Sequence, residues 1–139
     1  MPGIGRQNLL SISRQSGAAL TADRMVKVTT GGKVIAPATV DDIVIGVCRN
    51  TVTAADKTVN VQVQGVAIIE TSAAVTAGVL VAVSGTDGRI ATANPADPTV
   101  TQNYHSATGI ALEASAGAGE KIAVLLTPSN IYVNTATTI

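Results

Sequence analysis

The sequence predicts an all-β protein: a compact β-barrel-like body built from two tandem hairpin-plus-strand-pair repeats, with an extended N-terminal arm ahead of it. Three observations carry this expectation. From residue 25 apolar side chains recur with a period of two, as in "TVNVQVQG", where Val59, Val61 and Val63 fall on one face and Asn60, Gln62 and Gln64 on the other. The apolar runs are short and separated by Gly, Pro and Asp clusters, the punctuation of many short strands. The chain also repeats itself: "LTADRMVKV" at 20–28 aligns without a gap on "VTAGVLVAV" at 75–83, an offset of 55 residues.

Taken in order, residues 1–19 are polar and Ser/Gly/Arg-rich, with the small alternation "LLSIS". They read as an arm that becomes ordered on a partner, or as an unstructured leader. The body spans 20–128, with repeats at about 20–71 and 75–128. In the first copy, strands expected near 25–29 and 33–36 flank Gly31-Gly32. In the second, strands near 79–84 and 89–92 flank Asp87-Gly88. Both dipeptides tolerate positive φ, so each copy reads as a tight hairpin whose second limb opens on a basic residue, Lys33 or Arg89. Further strands are expected near 43–49, 58–64, 66–71, 107–113 and 120–127. Laying "IGVCRNTVTAADKTVNVQV" on "TGIALEASAGAGEKIAVLL" matches Gly46 with Gly109 at an offset of 63, so the second copy carries 8 extra residues, within 94–106.

The only helical turn expected is around "PATVDD", 37–42. The tail, 129–139, is polar around Ile131-Tyr132-Val133, which suits either strand pairing with a neighbouring subunit or a frayed end. Similar words also arise when two halves draw on one Val/Ala/Thr alphabet, so common origin is one of two explanations. A true duplication has a physical rationale: one hairpin-plus-strand-pair unit cannot bury its apolar face alone, and two stacked copies can close a barrel.

Composition narrows the function. The chain is 46% hydrophobic, but it has no Phe or Trp, and Tyr104 and Tyr132 are its only aromatic residues. Charged residues make up 13%, against about 25% in an ordinary soluble domain. A small globule with so few charges is poorly solvated, so its surface is expected to be covered in part by copies of itself or by a partner. Nine basic residues balance nine acidic ones with no Lys/Arg run. Nucleic acid is therefore not an expected partner, since its binding needs a basic footprint and stacking platforms. Sugar binding through stacked rings is equally unsupported. The opening "MPGIGRQNLLSISRQSG" has no apolar signal core, and no run approaches the about 18 apolar residues of a membrane span. Synthesis in the cytoplasm and no membrane partner are the expectations.

Catalytic chemistry is not found. The lone histidine, His105, lies among Asn, Thr and Pro in the insertion, where it reads as a solvated loop residue. One His and the single Cys48 cannot complete a zinc site, and Cys48 in its apolar run reads as a buried structural thiol. Asp41 and Asp42 are adjacent and read as turn or cap residues. "GIGRQN" lacks the preceding strand and third glycine of a dinucleotide loop, and "TTGGKV" lacks the rest of a phosphate loop. "TDGR" at 86–89 is explained by its hairpin turn, with too few acids nearby for calcium. No enzyme, cofactor or metal is expected.

The segments "VTAGVLVAVSGTDGRIATANPA" and "ATGIALEASAGAGEKIAVLLTP" resemble the small capsid decoration, or cement, proteins of tailed bacteriophages. The matching residues are Thr76-Ala77-Gly78, Val81, Val83, Gly88 and Ile90, then Gly109-Ile110-Ala111-Leu112 and Gly119-Glu120 leading into Ile122 and Val124. Val61, Val63 and Gly65 match the end of that family's first half. The resemblance covers about 20–128. It implies a β-barrel-like body sitting as homotrimers on the outside of an icosahedral head, bound to the major capsid protein and stabilising the shell against packaged DNA. The location implied is the virion exterior after synthesis in the host cytoplasm, with no catalytic or cofactor residue. The longer arm and the 94–106 insertion depart from the family pattern. An arm can add a strand to a capsid-protein sheet, with Arg6, Leu9, Leu10, Ile12 and Arg14 as the candidate contacts. The alternative is a receptor- or glycan-binding module whose tip is the exposed loop Asn103, Tyr104 and His105.

Overall fold

A computed structural model of the chain describes residues 7–39, 42–85, 87–93, 103–104, 107–127 and 132–133. These form strands β1 (Gln7–Gln15), β2 (Arg24–Val28), β3 (Val34–Ile35), β4 (Val44–Cys48), β5 (Thr58–Glu70) and β6 (Leu80–Val83). They continue with β7 (Ile90–Thr92), β8 (Asn103–Tyr104), β9 (Ala107–Ala111), β10 (Lys121–Leu126) and β11 (Tyr132–Val133). No helix occurs among the described residues, as the absence of a 3.6 period implies. The expected turn near 37–42 is pinned by the Asp42 carboxylate, which accepts the N–H groups of Ala38 (2.5 Å) and Thr39 (3.0 Å).

The main sheet is antiparallel and curls into a half-barrel in the order β3-β2-β4-β5-β10-β9-β6-β7, with β1 alongside β5. That order is a palindrome of topology: β3-β2-β4-β5 in one half is matched by β7-β6-β9-β10 in the other. The match extends to individual residues. Val26 pairs with Gly46 and Val81 with Gly109, and in both copies the register shifts immediately after that pair. Leu20 bridges Val52 as Val75 bridges Ser115. Gly32 and Gly88 both turn their hairpins at φ +81°. A shared alphabet does not place a bulge and a bridge at corresponding residues, so the halves are structural repeats.

Two expectations change. The strands expected at 58–64 and 66–71 are one strand, β5. Gly65, read as a break, keeps the ladder running at φ +98°, and a Cβ there would lie 2.1 Å from the Gln7 carbonyl oxygen. At this kink β5 changes neighbours, from β4 before it to β10 after it. The second change concerns the arm: residues 7–15 do not hang free, but form β1, paired along β5 from Gln7↔Val66 to Gln15↔Thr58. That edge of β5 carries backbone donors and acceptors that must be matched somewhere, and β1 matches them. The pair Gln15↔Thr58 corresponds in the second half to Glu70↔Lys121. The first structural repeat therefore begins at β1, ahead of residue 20.

The core follows the alternation. Leu20, Val26, Val34, Val59 and Val61 fill the inside of the first repeat. Val81, Ile90, Ile122, Val124 and Ile69 fill the second, and Met25, Val44 and Val47 join them from the outer face of the first repeat. The second repeat thus caps the outer face of the first. This is why Gln62, on the face expected to be polar, is fully buried; its Nε2 donates to the carbonyls of Gln64 and Val66, both at 3.0 Å across the Gly65 kink.

Candidate functional site

No group of His, Cys, Asp and Glu able to hold a metal occurs among the described residues. The Cys48 thiol is buried and donates to the Asn50 carbonyl at 2.9 Å. Its burial pushes the thiol pKa up, away from the reactive thiolate. Asp42, whose neighbour Asp41 lies outside the described residues, is held below the ordinary carboxylate range by Lys27 at 3.0 Å and by its backbone donors. For Asp87, burial pushes the pKa up, but hydrogen bonds from the Arg89 backbone and side chain (3.1 and 2.7 Å) outweigh it and leave the carboxyl lowered. These carboxylates brace turns, as expected from the sequence. No helix among the described residues is long and apolar enough to cross a membrane.

What the surface does offer is apolar. Of the candidate shell contacts, Arg6 lies outside the described residues, and the other four sit on β1. Leu9, beside the register shift in β1, is 77% exposed, and Leu10 is also exposed. Ile12 pairs directly with Val61 and so shares its inward face, yet remains partly open to solvent. Arg14 bends to the first hairpin turn and donates to the Gly32 carbonyl at 2.6 Å. The four described residues therefore do not form one uniform strip: Leu9, Leu10 and Ile12 are exposed to decreasing degrees, while Arg14 is engaged with the body.

The sequence alone does not mark a second apolar row. Leu80, Ile110 and Leu125 are direct cross-strand neighbours on β6, β9 and β10, and all three are exposed. The only available signal was their alignment with Met25, Val47 and Gln62 of the first repeat, which does not reveal which copy is covered. Of the candidate loop, His105 lies outside the described residues. The backbone of Asn103 and Tyr104 forms β8, paired with β11 in the tail. The tail segment thus pairs within its own chain.

Comparison with known proteins gives a consistent picture. The family described as phage cement protein matches residues 4–126, spanning both repeats. Among solved structures, the N base of the head fiber protein of bacteriophage phi29 superposes with a TM-score of 0.64 at 17% identity, covering 88% of this chain and 97% of that one. At that identity the likeness speaks to the fold. No curated protein matches the chain by sequence.

Proposed function

The chain belongs to the phage cement protein family, and we propose that it binds the major capsid protein on the outside of an icosahedral phage head as a homotrimer and stabilises the shell. It is a capsid-associated structural protein, and the observation that carries the finer reading is the family match across both repeats. The physical character of the chain supports it. The surface presents apolar side chains on regular strands. Leu9 and Leu10, with Arg6 ahead of them, are the shell contacts we assign. Each contact is small, and binding is multiplied across the copies of a symmetric lattice.

The test is the copy number of this chain relative to the major capsid protein in purified particles of the phage that encodes it. A ratio near one to one is expected, together with earlier loss of DNA on heating from particles that lack the chain. Absence from particles, or only a few copies, overturns the proposal. One observation favours a second reading, a receptor- or glycan-binding element: the β8–β11 ladder stands apart from the main sheet. Deleting 94–106 separates the two. Shell binding survives the deletion in both, and host attachment is lost only in the second.

A further inference from the structure

The first repeat carries a row across β2, β4 and β5, Met25↔Val47↔Gln62, which the second repeat carries as Leu80↔Ile110↔Leu125. The first row is closed, at 2%, 0% and 0% exposure; the second is open, at 37%, 36% and 40%. The chain itself shows what covers the first. The second hairpin turn lies on it, with Met25 N–H donating to the Gly88 carbonyl at 2.8 Å, and Met25 and Val47 join the cluster of Val83, Ile90 and Ile69.

We propose that the open row Leu80, Ile110 and Leu125 is covered by the first repeat of a second copy, whose hairpin turn at Gly31-Gly32 takes the place that Gly88 takes within the chain. This deepens the self-assembly named in the proposed function by locating its joint, and it rests on that reading only for the number of copies. The two turns share their φ of +81°. The donor end is open as well: Ile12 on β1 is 36% exposed, while its counterpart Ala67 is fully buried in the second repeat. Within one chain the relation does not close, because the second row stays bare; the Gly32 carbonyl, which accepts one bond from Arg14, keeps a second lone pair for the joint. An interface that joins unlike faces and leaves one of each unsatisfied propagates head to tail, and it closes only as a ring of copies.

The joint also differs from its internal template in a way that can be measured. Within the chain the repeats are tied by Arg24–Glu70 (3.3 Å) and Lys121–Asp23 (3.0 Å). The corresponding positions for the outer joint are Val79 with Gln15 and Thr58 with Gly78, which carry no charge. Assembly is therefore expected to persist at high salt.

The experiment is sedimentation velocity on the full chain across micromolar concentrations. Three proteins are compared, wild type, Leu125→Glu and Gly31→Glu, each checked for native circular dichroism. A Cβ at Gly31 meets only the Thr29 hydroxyl, at 3.8 Å, so that turn tolerates a side chain. Wild type is expected to form a closed oligomer and each variant a monomer. An equimolar mixture of the variants keeps one sound row and one sound turn, so it is expected to stop at dimers. If Leu125→Glu does not fold, Leu80→Glu breaks the same row from β6. Wild-type assembly by either folded row variant or by Gly31→Glu overturns the joint, as does a mixture that stays monomeric. A monomeric wild type whose shell binding is lost in Leu125→Glu assigns the row to the shell and also overturns it. The shell function is judged separately, by the wild-type copy number in particles.

Discussion

Gly109→Ala tests the repeat geometry at its tightest point. Gly109 lies on β9 between Val81 on β6 and Leu126 on β10. A Cβ built there would sit 2.0 Å from the Leu125 carbonyl oxygen, 2.9 Å from its carbonyl carbon and 3.2 Å from Leu126 Cα, all backbone atoms that cannot rotate aside. A comfortable carbon–oxygen contact is about 3.3 Å, so β9 and β10 must part locally by about 1 Å. Moving one strand that far lengthens the adjoining ladder bonds out of range, at about 1 kcal/mol net each. Strained packing adds about 1 to 3 kcal/mol. The expected loss is about 3 kcal/mol, a large share of the roughly 5 to 15 kcal/mol of a domain this size. The twin position behaves alike: at Gly46 a Cβ would lie 2.3 Å from the Gln62 carbonyl oxygen. The control is Gly117→Ala, where nothing lies within 4 Å and φ is not positive; it should be neutral or stabilising by about 0.5 kcal/mol. Urea unfolding followed by far-ultraviolet circular dichroism reads all three, because the chain has no tryptophan. A Gly109→Ala protein within about 0.5 kcal/mol of wild type refutes the packing account.

Three further outcomes follow from the fold. Deleting residues 1–16 removes β1 and the Ser16 bonds to Lys57 and Asp56, so the midpoint of thermal unfolding should fall by about 10 °C or more; a truncated protein that melts like wild type would restore a detachable arm. On acidification, Asp42 and Asp87 should both weaken the fold. Their folded pKa values lie below the ordinary 3.8, so their contribution is complete above that value and is lost as pH falls through the folded values. Denaturation series from pH 6 to 2 should show Asp42→Asn with a shallower acid decline than wild type, and an identical decline would refute the pairing with Lys27. Finally, the Cys48 thiol should resist iodoacetamide in the native protein and react on unfolding; prompt native labelling would contradict its burial.

The strands were legible because a half-buried sheet imposes a period of two locally, and the hairpins because Gly-Gly and Asp-Gly announce positive φ. The similar words at 20–28 and 75–83 fall on the matching strands β2 and β6 for the same reason. The sequence does not mark β1 as a strand of the body, because "QNLLSISRQ" buries little of its own; it exists because β5 presents an edge to it. The sequence does not distinguish a kink from a break at Gly65, because a glycine that ends one strand and a glycine that kinks a continuous one look alike until the partner strands are known. Cys48 and Asp42 behaved as their local context indicated, whereas the exposure of Leu9 and the engagement of Arg14 with Gly32 depended on residues far along the chain.

Local sequence thus settles where this chain extends, where it turns and that it does so twice, since alternation and backbone φ are properties of neighbouring residues. It cannot settle which copy is covered. Met25 and Leu80 occupy the same place in two similar words, yet one is 2% exposed and the other 37%. The difference arises because the second repeat stacks on the first and nothing among the described residues stacks on the second. That asymmetry comes from joining two like units end to end.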